Sequence, residues 1–381
     1  MKLCYATAFD SEDIRNWSGL GVYYAKMLRE SGFSDFNCLG LHQKKFPLHF
    51  IPSLKAKLNF HILGKKESPI FNITQSKAYA EVIHHKIKDG THILSPNTVI
   101  LAHLKKDLRK ILYTDSTLDN LLNFYPNYCC LKNEDIQKAQ ELEHQAIEVS
   151  DLLIYTSKWA ADSAIKAYNA EAEKVFIVPF GANLNFVPDD QELKLIIKKR
   201  NIAEQVNLLF IGIDWERKGG EYAVQVTRKL NALGIRTILH VAGIRFLPTN
   251  LNKEFIIDHG FISKRTVKSE LKLFKLISQS DFLLLPSLAD CTPVAFSEAN
   301  AFGVPCLASN VGGHTSIIKN GINGKTFSHV DFVENSVKFI TDLIQTKNAY
   351  HELCLSSYNE YLTELNWKST GAKIYKLIHS I

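Results

Sequence analysis

Residues 281–305 read DFLLLPSLADCTPVAFSEANAFGVP. Phe282 to Leu285 form an uninterrupted apolar run that Pro286 closes. A run that short, without polar alternation, reads as a strand buried on both faces. A polar loop with Asp290 and Thr292 follows, then a helix over 294–302 that Gly303 and Pro305 stop. The next apolar run, VPCLAS (304–309), begins at once. Buried strand, loop, helix, buried strand is the repeating unit of a parallel sheet with helices on its faces. The acids Asp290 and Glu298 flank the helix start. Either Asp290 caps the helix and Glu298 sits on a solvated face, or both are held near the core for a ligand.

The same unit recurs outward in both directions. KLCYATAF (2–9), FNCLGL (36–41), THIL (91–94), KILYT (110–114), DLLIYTS (151–157) and KVFIVPF (174–180) are the strand-like runs of the first half. Helix-like segments at 20–30, 134–149 and 159–169 lie among them. The second half restarts with VNLLFIG (206–212), IRTILHVAG (235–243) and KEFIIDHGFI (253–262), with helices at 219–233 and 266–279. The pattern predicts an α/β chain of two doubly wound parallel-sheet domains. PFGANLNFVPDD (179–190) marks the seam, before the basic helix LKLIIKKR. The expected domains are 1–185 and 186–365, with a C-terminal helix at 366–381 that could pack back on the first. The tail from 331 reads as helical, with a break near NWKST (366–370). Ligands of open α/β sheets sit at the carboxyl ends of strands, which points to a cleft between the two domains.

Composition narrows the function classes. A net charge of +6 is too small to imply nucleic acid. No run approaches the roughly 18 apolar residues of a membrane span. The start, MKLCYATAFDSEDIRNW, has no apolar leader core, and the seven scattered cysteines have no CxxC spacing. Both point to a reducing, cytoplasmic setting. No metal-ligand spacing appears. Between 38 and 110 there are 13 Lys/Arg against 4 Asp/Glu, interleaved with apolar residues as in KKFPLHFIPSLKAKLNFHILGKK. That excess suits either a solvated basic loop or peripheral contact of 44–66 with an anionic membrane.

In NLLFIGIDWERKGG (207–220) a strand ends at Gly212, and Arg217-Lys218 precede a helix opening at Gly219-Gly220. Cations beside free helix N–H groups suit a phosphate, and better a diphosphate; a solvated basic turn is the plain alternative. No GxxxxGK[ST] loop is present. Glu298, one turn into its helix, could accept hydrogen bonds from the vicinal hydroxyls of a ribose. Asp290 could do so for a sugar ring, with the N–H groups of Val294 and Ala295 near phosphate.

Taken in order, IGIDWERKGG, HVAG, GFISK, SDFLLLPSLADCTP, SEANAFGVPCLASNVGG and NGINGKTF resemble the retaining GT-B glycosyltransferases of glycosyltransferase family 4. The likeness is strongest over about 150–327, and WSGLGVYYAKMLRESG (17–32) resembles the family's glycine loop. The resemblance implies two Rossmann-like domains and a sugar transferred with retention from a nucleotide-diphosphate sugar. The acceptor would be a glycan or a lipid-linked sugar, in bacterial surface polysaccharide or glycolipid synthesis. No metal and no further cofactor are implied. Lys218 and Arg217 would neutralise the diphosphate, Glu298 would bind ribose and Asp290 the transferred sugar. The amides of Thr292, Val294 and Ala295 would line phosphate and sugar, and Phe261 and Ile262 would flank the base. Gly19 and Gly21 would let the N-terminal loop approach the donor phosphate or the acceptor, unless they only serve an ordinary turn before a helix.

The chain departs from the family pattern at several points. Ile213 stands where Arg is usual, Asp290 where Glu is common, and Pro293 removes an amide. GGHTS offers His314 and Ser316 but no Glu. The family's N-terminal cleft His has no clean equivalent. ILYTDSTLDN puts Thr114 or Asp115 there, and Asp115 would orient a sugar hydroxyl or else cap a helix at 118–123. These losses leave a non-catalytic subunit that binds a partner glycosyltransferase or glycan as the alternative reading. A dinucleotide oxidoreductase is disfavoured by the lack of GxGxxG.

Overall fold

The structure, a computed structural model, describes residues 1–41, 73–122, 124–128 and 131–381. The basic stretch 44–66 lies outside the described residues. The chain divides into two units, Met1–Val178 with Thr370–Ile381, and Pro179–Ser369.

Unit 1 is built on six parallel strands: β1 (Lys2–Thr7), β2 (Asp35–Gly40), β3 (Thr91–Ser95), β4 (Lys110–Thr114), β5 (Leu152–Tyr155) and β6 (Val175–Ile177). Their order is β2-β1-β3-β4-β5-β6, so the chain reverses direction across the sheet between β1 and β3. There the Asn97 side chain accepts a hydrogen bond from Ala8 N–H at 3.0 Å. The β1 loop then passes through left-handed backbone at Trp17 (φ 47°), Ser18 (φ 56°) and Gly19 (φ 83°) before the helix Leu20–Glu30. Gly21 is in the first turn of that helix, where a Cβ would come 2.9 Å from the Phe9 ring. The last helix, Trp367–Ile378, packs Tyr375 against Phe33 at 5.2 Å between ring centroids.

Glu143, in the helix Asn133–Val149, is buried and accepts from Thr98 Oγ1 at 3.1 Å and from Leu118 N–H at 3.2 Å. It thereby anchors the short helix Leu118–Leu121 that follows the β4 loop. Burial pushes its carboxyl up from 4.5 to about 7, against the pull of the two hydrogen bonds. A folded pKa above the unfolded one gives stability that is complete below the unfolded value and lost as pH rises through about 7. Between pH 4.5 and pH 8 the wild type is expected to lose about 3 kcal/mol from this group. Glu143→Gln should flatten that slope in denaturant titrations at the two pH values. Equal slopes for both proteins would refute the assignment.

Unit 2 repeats the architecture with β7 (Val206–Ile211), β8 (Thr237–Ala242), β9 (Ile256–Asp258), β10 (Phe282–Leu285), β11 (Cys306–Ser309) and β12 (Gly324–Phe327). The order is β12-β11-β10-β7-β8-β9, and every pairing is parallel. Alternate residues supply two separate cores. Phe210, Phe282 and Leu284 pack on one face, and Leu209, Leu283 and Leu285 on the other. This is why β10 reads as a solid apolar run. At the opposite end of β10, Asp281 accepts from Asn207 N–H at 2.7 Å and from the Tyr350 hydroxyl at 3.1 Å. That contact ties the helix Lys347–Thr363 to the sheet. The reversal of strand order falls between β7 and β10, so the loops leaving those two strands meet at the carboxyl edge, the usual ligand position in such sheets.

Candidate active site

The loop after β7 carries Arg217 and Lys218, and the loop after β10 carries Asp290. Gly219 turns the first loop into the helix Gly220–Ala232 with φ 75°. Its α-carbon lies so close to the end of β10 that a Cβ there would be 2.1 Å from the Pro286 carbonyl oxygen. Leu288 N–H donates to the Arg217 carbonyl at 2.7 Å, which seals the two loops together.

Lys218 Nζ donates to Asp290 Oδ2. Arg217 places NH1 3.7 Å from the same oxygen while donating to the Ala289 carbonyl at 2.7 Å. Ser287 Oγ donates to Asp290 Oδ2 at 3.3 Å. Only 12% of the Lys218 side chain and 10% of the Asp290 side chain are exposed. Burial alone would raise the Asp290 carboxyl. The attraction of Lys218, His314 and Arg217 outweighs it and holds the group below the ordinary carboxylate range. Desolvating two charges offsets most of their attraction, so a buried pair adds little net stability over apolar residues, whereas losing one partner costs about 3–5 kcal/mol. Arg217 Nε also lies 3.4 Å from Asp214 Oδ2, so two cations are held between two carboxylates at the sheet edge.

Glu298 lies one turn into the helix Val294–Asn300 and is 2% exposed. It is therefore not on a solvated face. Lys264 Nζ donates to its Oε1 and to the Asn183 carbonyl at 3.2 Å. Burial raises the Glu298 carboxyl, with Lys264 and the Asn183 N–H pulling the other way. Lys264 is the residue that sequence reading passed over. It stands in GFISK, but nothing in its spacing announces a partner 34 residues on.

Asp290 does not cap the helix: Pro293 holds the N-cap position, with no side-chain cap. Thr292 and Ala295 are buried, and Val294 is half-buried at the first helical position. Phe261, 56% exposed just beyond β9, has the Arg245 guanidinium 6.0 Å from its ring centroid, and Ile262 beside it is half-buried. Ile213 is 72% exposed and bears no charge, and it is Arg217 that brings a guanidinium to Asp290.

In unit 1, Gly19 is the left-handed N-cap of its helix and Gly21 is in the first turn. Asp115 is half-buried directly after β4. It does not cap the next helix. Thr117 does, accepting from Asn120 N–H at 3.2 Å in a capping box. No group of three or more potential metal ligands occurs among the described residues, and no helix among them is long and apolar enough to cross a membrane.

Comparison with known proteins bears on the fold and on the family of this segment. Residues 194–354, which hold both the Lys218–Asp290 and the Lys264–Glu298 pairs, match the family described as Glycosyl transferases group 1. An Escherichia coli UDP-Gal:alpha-D-GlcNAc-diphosphoundecaprenol alpha-1,3-galactosyltransferase is 25% identical over 212 residues, 53% of this chain and 54% of that one. The match thus spans about half of that relative's length. Among solved structures, the sucrose-phosphate synthase of Thermosynechococcus elongatus superposes with a TM-score of 0.68 at 14% identity, covering 100% of this chain and 99% of the other. Anabaena HepE in complex with UDP gives 0.66 at 13% identity, with both chains covered completely. The architecture is the two-domain, Rossmann-like GT-B fold, and within it residues 194–354 match the glycosyl transferases group 1 model.

Proposed function

We propose that this protein is a retaining glycosyltransferase that moves a sugar from a nucleotide-diphosphate donor to a glycan or lipid-linked acceptor in surface polysaccharide or glycolipid synthesis. The observation that carries the reading is the buried Lys218–Arg217–Asp290 cluster at the β7/β10 reversal, inside the segment that matches the glycosyltransferase family. The E. coli relative's name specifies a UDP-sugar and a lipid-linked diphosphate, and HepE was solved with UDP. Both support a nucleotide-sugar donor here. No observation favours the non-catalytic reading.

In this proposal the diphosphate takes the place of Asp290 as the main partner of Lys218 and Arg217, and the freed carboxylate accepts from a hydroxyl of the transferred sugar. Glu298 engages the ribose. The amides of Thr292, Val294 and Ala295 line phosphate and sugar, and Phe261 and Ile262 flank the base. The bond from the anomeric carbon to the phosphate oxygen breaks, and its electron pair leaves with the nucleoside diphosphate. Positive character develops on the sugar. Lys218 and Arg217 stabilise the leaving charge. The acceptor hydroxyl bonds to the anomeric carbon on the face the phosphate leaves, and its proton passes to the departing phosphate. Asp115 orients a sugar hydroxyl or the acceptor, and Gly19 and Gly21 let the N-terminal loop approach the donor phosphate or the acceptor.

A panel of UDP-, GDP-, ADP- and CMP-sugars tests the reading. One nucleotide class should raise the melting temperature by several degrees, since ligand at 100 times its Kd adds about 2.7 kcal/mol. The same class should be hydrolysed slowly without acceptor, and should turn over in the presence of EDTA. Neither binding nor hydrolysis across the panel would sink it.

A further inference from the structure

His314 stands beside this cluster, and the mechanism above does not use it. The loop after β11 is lashed to the loop after β10: Gly313 N–H donates to the Cys291 carbonyl at 2.8 Å, and Ser309 Oγ to the Ser287 carbonyl at 2.5 Å. His314 opens the short turn of helix that follows, His314–Ile317, with its ring wholly buried and edge-on to Phe296 at 4.9 Å.

Its Nδ1 lies 2.8 Å from the Ser309 carbonyl oxygen. A carbonyl can only accept, so Nδ1 carries the proton, and in the neutral ring Nε2 is a bare acceptor. The ring is neutral at physiological pH: burial drives its pKa down to about 4, with Asp290 resisting and Lys218 adding to the fall. Nε2 is buried and has no hydrogen-bond partner. His329 is close enough to influence this ring electrostatically but makes no hydrogen bond to Nε2.

An orphaned buried acceptor is costly, and native structures keep few of them without a reason. The chemistry of the neighbours narrows what would complete this one. Asp290 is an ionised carboxylate and accepts only. Phosphate oxygens accept too, so a phosphate gives Nε2 nothing. An uncharged ligand that brings hydroxyl donors satisfies Nε2 and Asp290 together. We propose that His314 Nε2 accepts a hydrogen bond from a ring hydroxyl of the transferred sugar, making His314 a specificity-determining residue beside Asp290. This rests on the nucleotide-sugar reading above.

The test is calorimetric titration of the intact chain with UDP, GDP and ADP, and with UDP-glucose, GDP-glucose and ADP-glucose. Wild type is compared with His314→Asn and His314→Gln. The Asn amide can keep the bond to the Ser309 carbonyl but puts nothing at Nε2, whereas the Gln amide reaches the Nε2 position. In H314N the affinity for the preferred sugar nucleotide should fall about tenfold, the size of one buried hydrogen bond, while that for its free nucleoside diphosphate holds. H314Q should recover part of the loss. Equal losses for nucleotide and sugar nucleotide would mean a merely structural ring, and no loss in either would mean that a lone water satisfies Nε2. Either result overturns the proposal and leaves the glycosyltransferase reading standing. A wild-type chain indifferent to all six probes overturns both.

Discussion

Lys218→Met is expected to lower donor turnover by about 10²–10³-fold, the usual cost of removing one preorganised group that stabilises a leaving oxyanion. Methionine keeps the length of the stem, which packs against Gly212 so closely that a Cβ there would be 2.9 Å from Lys218 Cγ. What disappears is the ammonium. Asp290 keeps Arg217 at 3.7 Å and the Ser287 hydroxyl at 3.3 Å but loses its largest attraction, so its carboxyl should rise from its depressed value. Removing one partner of a buried pair costs about 3–5 kcal/mol, and Arg217 should hold the loss to the low end.

The sign of the pH dependence follows from the direction of the Asp290 shift. A carboxyl depressed in the folded state contributes stability that is present above its unfolded value and lost as pH falls through the folded one. The gap between wild type and K218M should therefore close below about pH 4. The double variant Lys218→Met with Asp290→Asn separates the two roles of the lysine. It should regain stability, since no charge is buried alone, yet bind UDP as poorly as the single variant. If UDP binding returns with stability, Lys218 does no more than neutralise Asp290.

Gly219→Ala is expected to destabilise unit 2 by at least about 3 kcal/mol and to weaken nucleotide binding with it. Two costs combine. An alanine at φ 75° pays about 1–2 kcal/mol for left-handed backbone. Its Cβ would also meet the Pro286 carbonyl at 2.1 Å, and a backbone carbonyl cannot swing aside as a flexible side chain can. The loop must back away from β10, taking Lys218 and Arg217 with it. Gly234→Ala is the control: φ is 79°, but nothing lies within 4 Å of the added carbon. It should show the conformational cost alone, a drop of about 2–8 °C in melting temperature for a unit of this size. Similar drops for both variants would mean that the loop accommodates the methyl group and that its packing on β10 does not position the cations.

Sequence reading was reliable wherever the signal was local and stumbled where it was not. The apolar runs that became the inner strands β1, β3, β4, β5, β7, β8, β10 and β11 stand out because they are largely buried, whereas the edge strands β2, β6 and β9 are half-buried or exposed. β12, GKTF, does not stand out, since Lys325 and Thr326 are only half-buried in a strand paired to β11 alone. The capping roles considered for Asp115 and Asp290 rested on residue type, which several neighbours satisfy equally well. Thr117 takes the first, and Pro293 the N-cap position of the second helix.

By itself the sequence determined the alternation of strand and helix, the two-sheet architecture, and that cations and acids would gather at carboxyl ends of strands. Apolar periodicity records burial residue by residue, so these follow without knowing what neighbours what. Which charge meets which was decided only by tertiary structure. Lys218 and Asp290, 72 residues apart, meet because β10 lies against β7, and Lys264 takes Glu298 across 34 residues. Strand order rests on contacts between distant segments, and only that order determines which charges are desolvated together and which ring nitrogen is left without a partner.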